Sequence, residues 1–353
     1  MMKFRAIFIF SCIAFTFAGT ALAGPTTITP FVQARQEYSD NILFTEDNEA
    51  SDAITILTSG LRFAKKTSRL SSAVTGQLDK RLYWDYSELN DLDYGVSGTW
   101  DYRVTERLDA RASAGYAQDS SRDRDTETTG LLVSGDRKTA EAGLGSGYAL
   151  SEVLEADLDF QYKRVERDEE NDLEDNDSFS MTLSFTRNLS GTFRNTSGIL
   201  NINYLHYTAD SETTSPGTNL DTTTFQDYDT DIIQVSAGAI RNLTELYQVS
   251  LMVGASYSAT SEASWFRRTN NAGNVVAQSA VTESDSDTFG GVFSAGVQYR
   301  DEYYTISLSA DQSMRGGTGT SGAVQRSSLS GGVDRKVSDR FFLTLDASCY
   351  LNR

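Results

Sequence analysis

Proline, histidine and cysteine are nearly absent from this chain, at 3, 1 and 2 of 353 residues. Proline cannot donate to a β-ladder, so a chain that avoids it is free to build central strands. Only Pro216 lies beyond the first expected strand. A single histidine, His206, leaves little material for acid–base catalysis or a histidine metal site. No apolar run reaches the roughly 18 residues of a membrane-spanning helix, which excludes a bundle of such helices. Acidic residues outnumber basic ones by 49 to 31, and the pI of about 4.5 argues against nucleic acid as a partner. Disorder is excluded as well, because 39% of residues are hydrophobic and 11% aromatic. A mean hydropathy of −0.38 gives the chain the average of an ordinary soluble protein.

Residues 1–23 read as a secretory signal peptide. Lys3 and Arg5 supply the positive start, 6–18 the apolar stretch, and Ala21-Leu22-Ala23 the cleavage site. The expected mature domain is 24–353, and losing those two basic residues moves the formal charge from −18 to −20. Cys12 leaves with the signal. Cys349 is then alone, without an intrachain disulfide, and is expected to be an inert filler, buried or facing lipid.

What the rest of the chain has is alternation. Leu92, Tyr94, Val96, Gly98, Trp100 and Tyr102 interleave with Asp93, Gly95, Ser97, Thr99, Asp101 and Arg103. Tyr247, Val249, Leu251, Val253, Ala255 and Tyr257 do the same against Gln248, Ser250, Gly254 and Ser256. A period of two places such sets on opposite faces of a strand. Fifteen segments carry it, near 29–39, 53–63, 69–84, 91–104, 108–118, 137–150, 153–164, 178–187, 196–207, 230–240, 246–259, 288–299, 303–312, 325–336 and 340–351. Many have the length of about 9–11 tilted residues that crosses a bilayer. Short connections (64–68, 105–107, 151–152, 241–245, 300–302, 337–339) alternate with long polar ones at 40–52, 119–136, 165–177, 208–229 and 260–287. This pattern predicts an all-β, antiparallel up-and-down transmembrane β-barrel of about 16 strands. A β-solenoid would need a fixed repeat, and a secreted β-sandwich shorter strands with closer turns. The count of 15 is odd, whereas single-chain bacterial barrels have even numbers, so a final strand missing from this chain is expected.

The parity assigns faces. Arg35, Arg62, Asp79, Arg81, Asp93, Asp101, Arg103, Asp109, Arg111, Glu155, Asp157 and Asp159 fall on the polar side and are expected to line a lumen. Mixed signs there suit either a polar channel or a paired, plugging network. Trp84, Tyr102, Tyr148, Tyr162, Tyr247, Tyr257, Tyr299 and Tyr304 sit on the apolar side near strand ends, where interfacial girdles belong. Lys80 is awkward, since it shares the apolar parity; it either snorkels or sits at a bulge that resets the parity. Gly143-Leu144-Gly145-Ser146-Gly147 is read as a relief of crowding in the wall rather than a nucleotide loop, because no helix follows.

Two groups could carry chemistry. His206 has Asp210 four residues on and would serve a hydrolase, but its parity points it toward lipid and Asp210 is expected in a loop. The acidic stretch 165–177 offers oxygen ligands for calcium but lacks a calcium-loop pattern, and reads better as a solvated loop with loose divalent bridging to lipopolysaccharide. No catalytic residue, metal or cofactor is assigned.

Glu37-Tyr38-Ser39-Asp40-Asn41-Ile42-Leu43, followed by Asp52 and a strand through Gly60-Leu61, resembles the β-barrel porin 2 family. The turns Thr105-Glu106-Arg107-Leu108 and Val337-Ser338-Asp339-Arg340 add to the resemblance, which extends over nearly the whole mature chain. It implies a Gram-negative outer-membrane barrel associated with exopolysaccharide or exosortase-type export, with no enzymatic activity. The expectation is a porin-like conduit for polar solute or exported polysaccharide. The alternative is a structural barrel whose acidic loops organise surface polymer, with a hydrolase at His206 third. Expected partners are outer-membrane lipid and lipopolysaccharide, the barrel-assembly machinery and a polysaccharide export system.

Overall fold

A computed structural model describes residues 26–39, 42, 50–120, 137–167, 175–215, 220–270, 274–316, 323–338 and 342–352. The expected signal peptide, Pro216, Phe341 and the centre of the acidic stretch lie outside them. Sixteen strands form: β1 (Thr26–Ser39), β2 (Asp52–Lys66), β3 (Leu70–Tyr83), β4 (Asp91–Arg103), β5 (Leu108–Asp119), β6 (Arg137–Ser151), β7 (Leu154–Arg167), β8 (Asp175–Asn188), β9 (Thr196–Ser215), β10 (Leu220–Asn242), β11 (Tyr247–Asn270), β12 (Val275–Gln278), β13 (Thr282–Arg300), β14 (Tyr304–Gly316), β15 (Ala323–Lys336) and β16 (Phe342–Asn352). Fifteen of them make one up-and-down antiparallel path in chain order, and the four-residue β12 adds only to the end of β11. The fifteen path strands coincide one for one with the fifteen alternating segments. An odd path leaves β1 and β16 running in the same direction, and no register joins them among the described residues.

The registers are nearly unbroken. Among the described pairs, shifts occur only at Ala149/Ser151 between β6 and β7 and at Arg268/Thr269 beside β12. No shift touches β3, so Lys80 stays on the outward face, opposite Leu57 and Leu92. The bulge explanation for Lys80 is removed.

The long connections are shorter than the sequence suggested. β9, β10 and β11 run to 20, 23 and 24 residues and absorb most of 208–229 and the start of 260–287; β13 begins at Thr282. Asp210, expected in a loop, is in strand. These extensions reach well past the roughly 9–11 residues that a bilayer needs. Both faces are then polar, as in Asp227, Tyr228, Asp229 and Thr230, so the period-two signal fades while the ladder continues.

The outer end of the β1–β3 corner is locked by a carboxylate. Asp52, 2% exposed, accepts backbone N–H groups of Trp84, Asp85 and Tyr86, each at 3.2 Å. Beneath it Ile42, Ile54 and Ile56 form an apolar cluster against Tyr83, Tyr86 and Leu89. At the opposite end the turns are tight. Asp301 accepts N–H bonds from Tyr303 and Tyr304 and the Tyr299 hydroxyl, which together hold its carboxyl below the usual range. Asp52→Ala strands the turn amides and should lower unfolding stability by about 1–3 kcal/mol, read by urea titration of refolded protein. An unchanged midpoint would show that the Asp52 cap does not hold this corner.

Candidate functional site

Residues paired across a register share a face, so the twelve predicted lumen residues can be placed directly. All twelve lie on one face, the inner one, of β1–β5 and β7. Several are joined in ion pairs. Arg81 Nε lies 2.7 Å from Asp93 Oδ2, with side chains only 9% and 7% exposed. Asp93 also accepts the Ser120 backbone N–H and hydroxyl, each at 2.8 Å. Arg137 and Asp119 pair at 3.0 Å nearby, a contact that the sequence reading missed.

Arg111 on β5 reaches across β6 to Asp157 at 2.9 Å and Asp159 at 3.3 Å on β7. The glycine run makes that reach possible. A Cβ at Gly145 would strike the Asp159 carboxylate and come within 3.2 Å of Arg111 Nε; one at Gly147 would sit 3.0 Å from Asp157 Oδ1. The glycines therefore form a trough under an ion-pair bridge, a more specific role than general relief of crowding. Arg35 pairs with Glu37 at 2.8 Å, and the exposed Arg103 approaches Asp109 at 3.8 Å. Asp79 takes the Thr58 hydroxyl and the Gln77 amide. Arg62, Asp101 and Glu155 make no ion pair among the described residues.

The next three strands of the inner wall differ in kind. The inner positions of β8, β9 and β10 are Ser, Thr, Asn, Gln and a few apolar residues, without a charge. Ser184 donates to Asn201 and Asn203 to Thr182, both at 2.8 Å; the Thr230 and Thr260 hydroxyls meet at 3.1 Å. The wall from β1 to β7 is thus ionic and that of β8 to β10 a hydroxyl–amide surface, while charges return beyond it with Glu262, Arg268, Asp311 and Asp334. Parity alone could have shown this contrast, had the uncharged positions been followed as closely as the charged ones.

The outer face is apolar and exposed: Leu78, Val96, Leu144, Val253, Leu308 and Leu345 are all at least half exposed. The eight predicted girdle residues share this face. Tyr247 packs tilted against Tyr299 with ring centroids 4.9 Å apart, Tyr257 likewise against Phe289 at 5.7 Å, and Arg335 lies over Tyr304. Trp84 donates from Nε1 to Thr55 Oγ1, and the Tyr162 hydroxyl to Asp177. Tyr102 and Tyr148 are exposed near the tight-turn end. Cys349 is free, exposed and paired in register with Leu329 on the same face.

His206 is also outward, but its partner is not Asp210. Nδ1 lies 3.0 Å from Asp231 and 3.5 Å from Asp229, and the Tyr204 hydroxyl donates to Asp231 at 2.6 Å. Asp210 instead faces Asp175 and Asp227. The sequence missed Asp229 and Asp231 because the register brings them to His206 from another strand. These three side chains place ligand atoms within 4.8 Å of one another and could hold a cation. No nucleophile bonds His206 among the described residues, so the arrangement lacks the hydrogen-bonded pair that covalent hydrolysis needs.

No protein-family profile and no curated protein sequence matches the chain. Among solved structures it is similar to the ferric-catecholate import receptor Fiu of E. coli K12 in its open form, with a TM-score of 0.51 at 10% identity over 93% of this chain and 59% of the receptor. The ferric yersiniabactin uptake receptor FyuA of Yersinia pestis gives 0.47 at 10% identity, over 92% of this chain and 54% of the receptor. The chain spans a little over half the length of these receptors. The Fiu likeness shows the fold, an antiparallel up-and-down sheet of outer-membrane β-barrel type.

The buried Arg81–Asp93 pair gives a direct test of the ionic stretch. Arg81→Ala leaves the Asp93 carboxylate buried with only Ser120 for company, and should cost about 3 kcal/mol in urea unfolding. The double variant with Asp93→Ala should recover part of that loss. A single variant as stable as the parent would show that the pair is not desolvated.

Proposed function

We propose that the chain is an outer-membrane conduit for polar solute, in particular an exported polysaccharide, and that it performs no catalysis. The observation that carries this reading is the two-faced sheet. One face exposes leucine, valine and aromatic side chains over strand after strand, far beyond the few hundred Å² of contiguous apolar surface that soluble monomers tolerate. The other carries ion pairs and hydroxyls. Lipid outside and water inside satisfy both at once.

The apolar positions take the hydrocarbon, while Tyr247, Tyr299, Tyr304, Tyr102 and Tyr148 mark the tight-turn boundary and Trp84, Tyr162 and Tyr257 the opposite one. Lys80, near the outer end of β3, sends its amine up to that boundary. The hydroxyl–amide surface would exchange hydrogen bonds with a solute's hydroxyl groups, and the ionic stretch, held largely in pairs, gives little net attraction to either sign. The resemblance at 37–43 and Asp52 supports the polysaccharide assignment, with lipopolysaccharide, the barrel-assembly machinery and an export system as partners. The solved neighbours are named as import receptors, which supports transport across the outer membrane as the general role.

Refolded full-length protein in planar bilayers should give discrete conductance steps, and His206→Ala should leave them unchanged. Correctly inserted but silent protein would overturn the conduit. A hydrolytic activity lost in His206→Ala would overturn the non-enzymatic part.

A further inference from the structure

The β13–β14 ladder stops at Phe293 paired with Gln312, although β13 continues outward to Thr282 and β14 to Gly316. Beyond Gln312, β14 leaves the wall and crosses the inner face. The carbonyl of Met314 accepts a bond from Gln234 Nε2 on β10, and the Met314 side chain is 2% exposed. A Cβ at Gly290 would lie 2.9 Å from both Met314 Cε and Ser256 Oγ, so the methionine methyl and that hydroxyl flank the same point above Gly290. Gln312 and Gln325 donate their amides to the Gly291 carbonyl at 3.4 and 3.3 Å, where the ladder is absent.

What lies beneath is the hydroxyl–amide surface. Thr230 is 0% exposed, Ser256 2% and Ser258 1%, all on inner positions that would otherwise face the lumen. Ser256 Oγ is buried without a hydrogen-bond partner. A buried hydroxyl without a partner is an unmet demand, and water or a ligand hydroxyl would meet it. The register puts Arg315 and Arg326 on the hairpin face opposite Met314 and Gln325, so the charges look away from this strip.

We infer that Thr230, Gln234, Ser256 and Ser258 form a binding strip for a neutral, hydroxyl-rich chain, and that the outer end of β14 occupies the strip through Met314 when no ligand is there. The inference rests on the conduit reading for its route but adds the site and the solute class. The strip offers amides and hydroxyls without a fixed charge, so it matches neutral sugar units and gives no reward to an anionic chain. The docked segment keeps its ladder to β15 as far as Gly316 but is held to the wall beneath by side-chain amides alone, so the β14–β15 end can be displaced as a unit.

The test joins Ser236→Cys, beside the strip on the same face of β10, to Met314→Cys through a short reducible bis-methanethiosulfonate linker, in a Cys349→Ser background. Binding of a neutral maltodextrin and of polygalacturonate is measured by calorimetry, and by current block where channels form. The linked protein should lose maltodextrin binding, reduction should restore it, and polygalacturonate should bind neither state. Ser256→Ala, which removes the unmet hydroxyl, should weaken maltodextrin binding severalfold while keeping the fold. Failure of the linker to join the two positions, equal maltodextrin binding in the linked and reduced states, or polygalacturonate binding as strong as maltodextrin would each overturn the strip. Absence of current with maltodextrin binding intact would overturn the conduit and leave the strip standing.

Discussion

Backbone hydrogen bonding is the constraint on which everything else depends. In hydrocarbon each unsatisfied N–H or C=O costs several kcal/mol, so a strand that crosses lipid needs a partner on each side for its whole length. The nearly unbroken registers on both sides of β2 through β11 meet that demand among the described residues. With the backbone fixed in this way, alternate side chains are forced outward and inward, and the sequence has only to choose which parity is apolar. The same requirement explains the dearth of proline, which would leave gaps in the ladder. It also singles out Gly291, where the β13–β14 ladder has ended and glutamine amides take over the carbonyl.

The ordinary average composition follows from this geometry. Only one residue in two meets the outside, so a wall can expose a continuous apolar face while the whole chain keeps a mean hydropathy of −0.38. Inside, an ionic stretch from β1 to β7 gives way to a hydroxyl–amide stretch over β8 to β10. The ionic stretch is fixed by bridges such as Arg111 to Asp157 and Asp159, which only glycines on the intervening strand allow. The hydroxyl–amide stretch is where β14 folds in.

Most of the wall was legible in the sequence, because a period of two survives wherever one face is apolar and the other polar. Leu92 through Arg103 is the plainest example, and its parity placed Asp93, Asp101 and Arg103 together on one face, as the registers do. The reading failed where both faces meet water. Asp210 and its neighbours are strand, yet nothing in their polarity distinguishes them from loop. It also failed where function depends on distant segments meeting. Asp231 reaches His206 only through the β9–β10 register, and Met314 reaches Gln234 only because β14 leaves its neighbour. Neither meeting has a local sequence signal. The glycines of β6 were recognisable as inner-face residues, but the arginine that passes over them comes from β5.

The most direct test of the two-faced wall is a nitroxide scan along β11 in lipid vesicles, comparing collisions with oxygen and with a water-soluble nickel chelate. Labels at Leu251, Val253 and Ala255 should favour oxygen, and labels at Gln248, Ser250 and Met252 the nickel chelate, in strict alternation. If both sets favour nickel equally, the outer face meets water and the account of a lipid-facing wall is wrong.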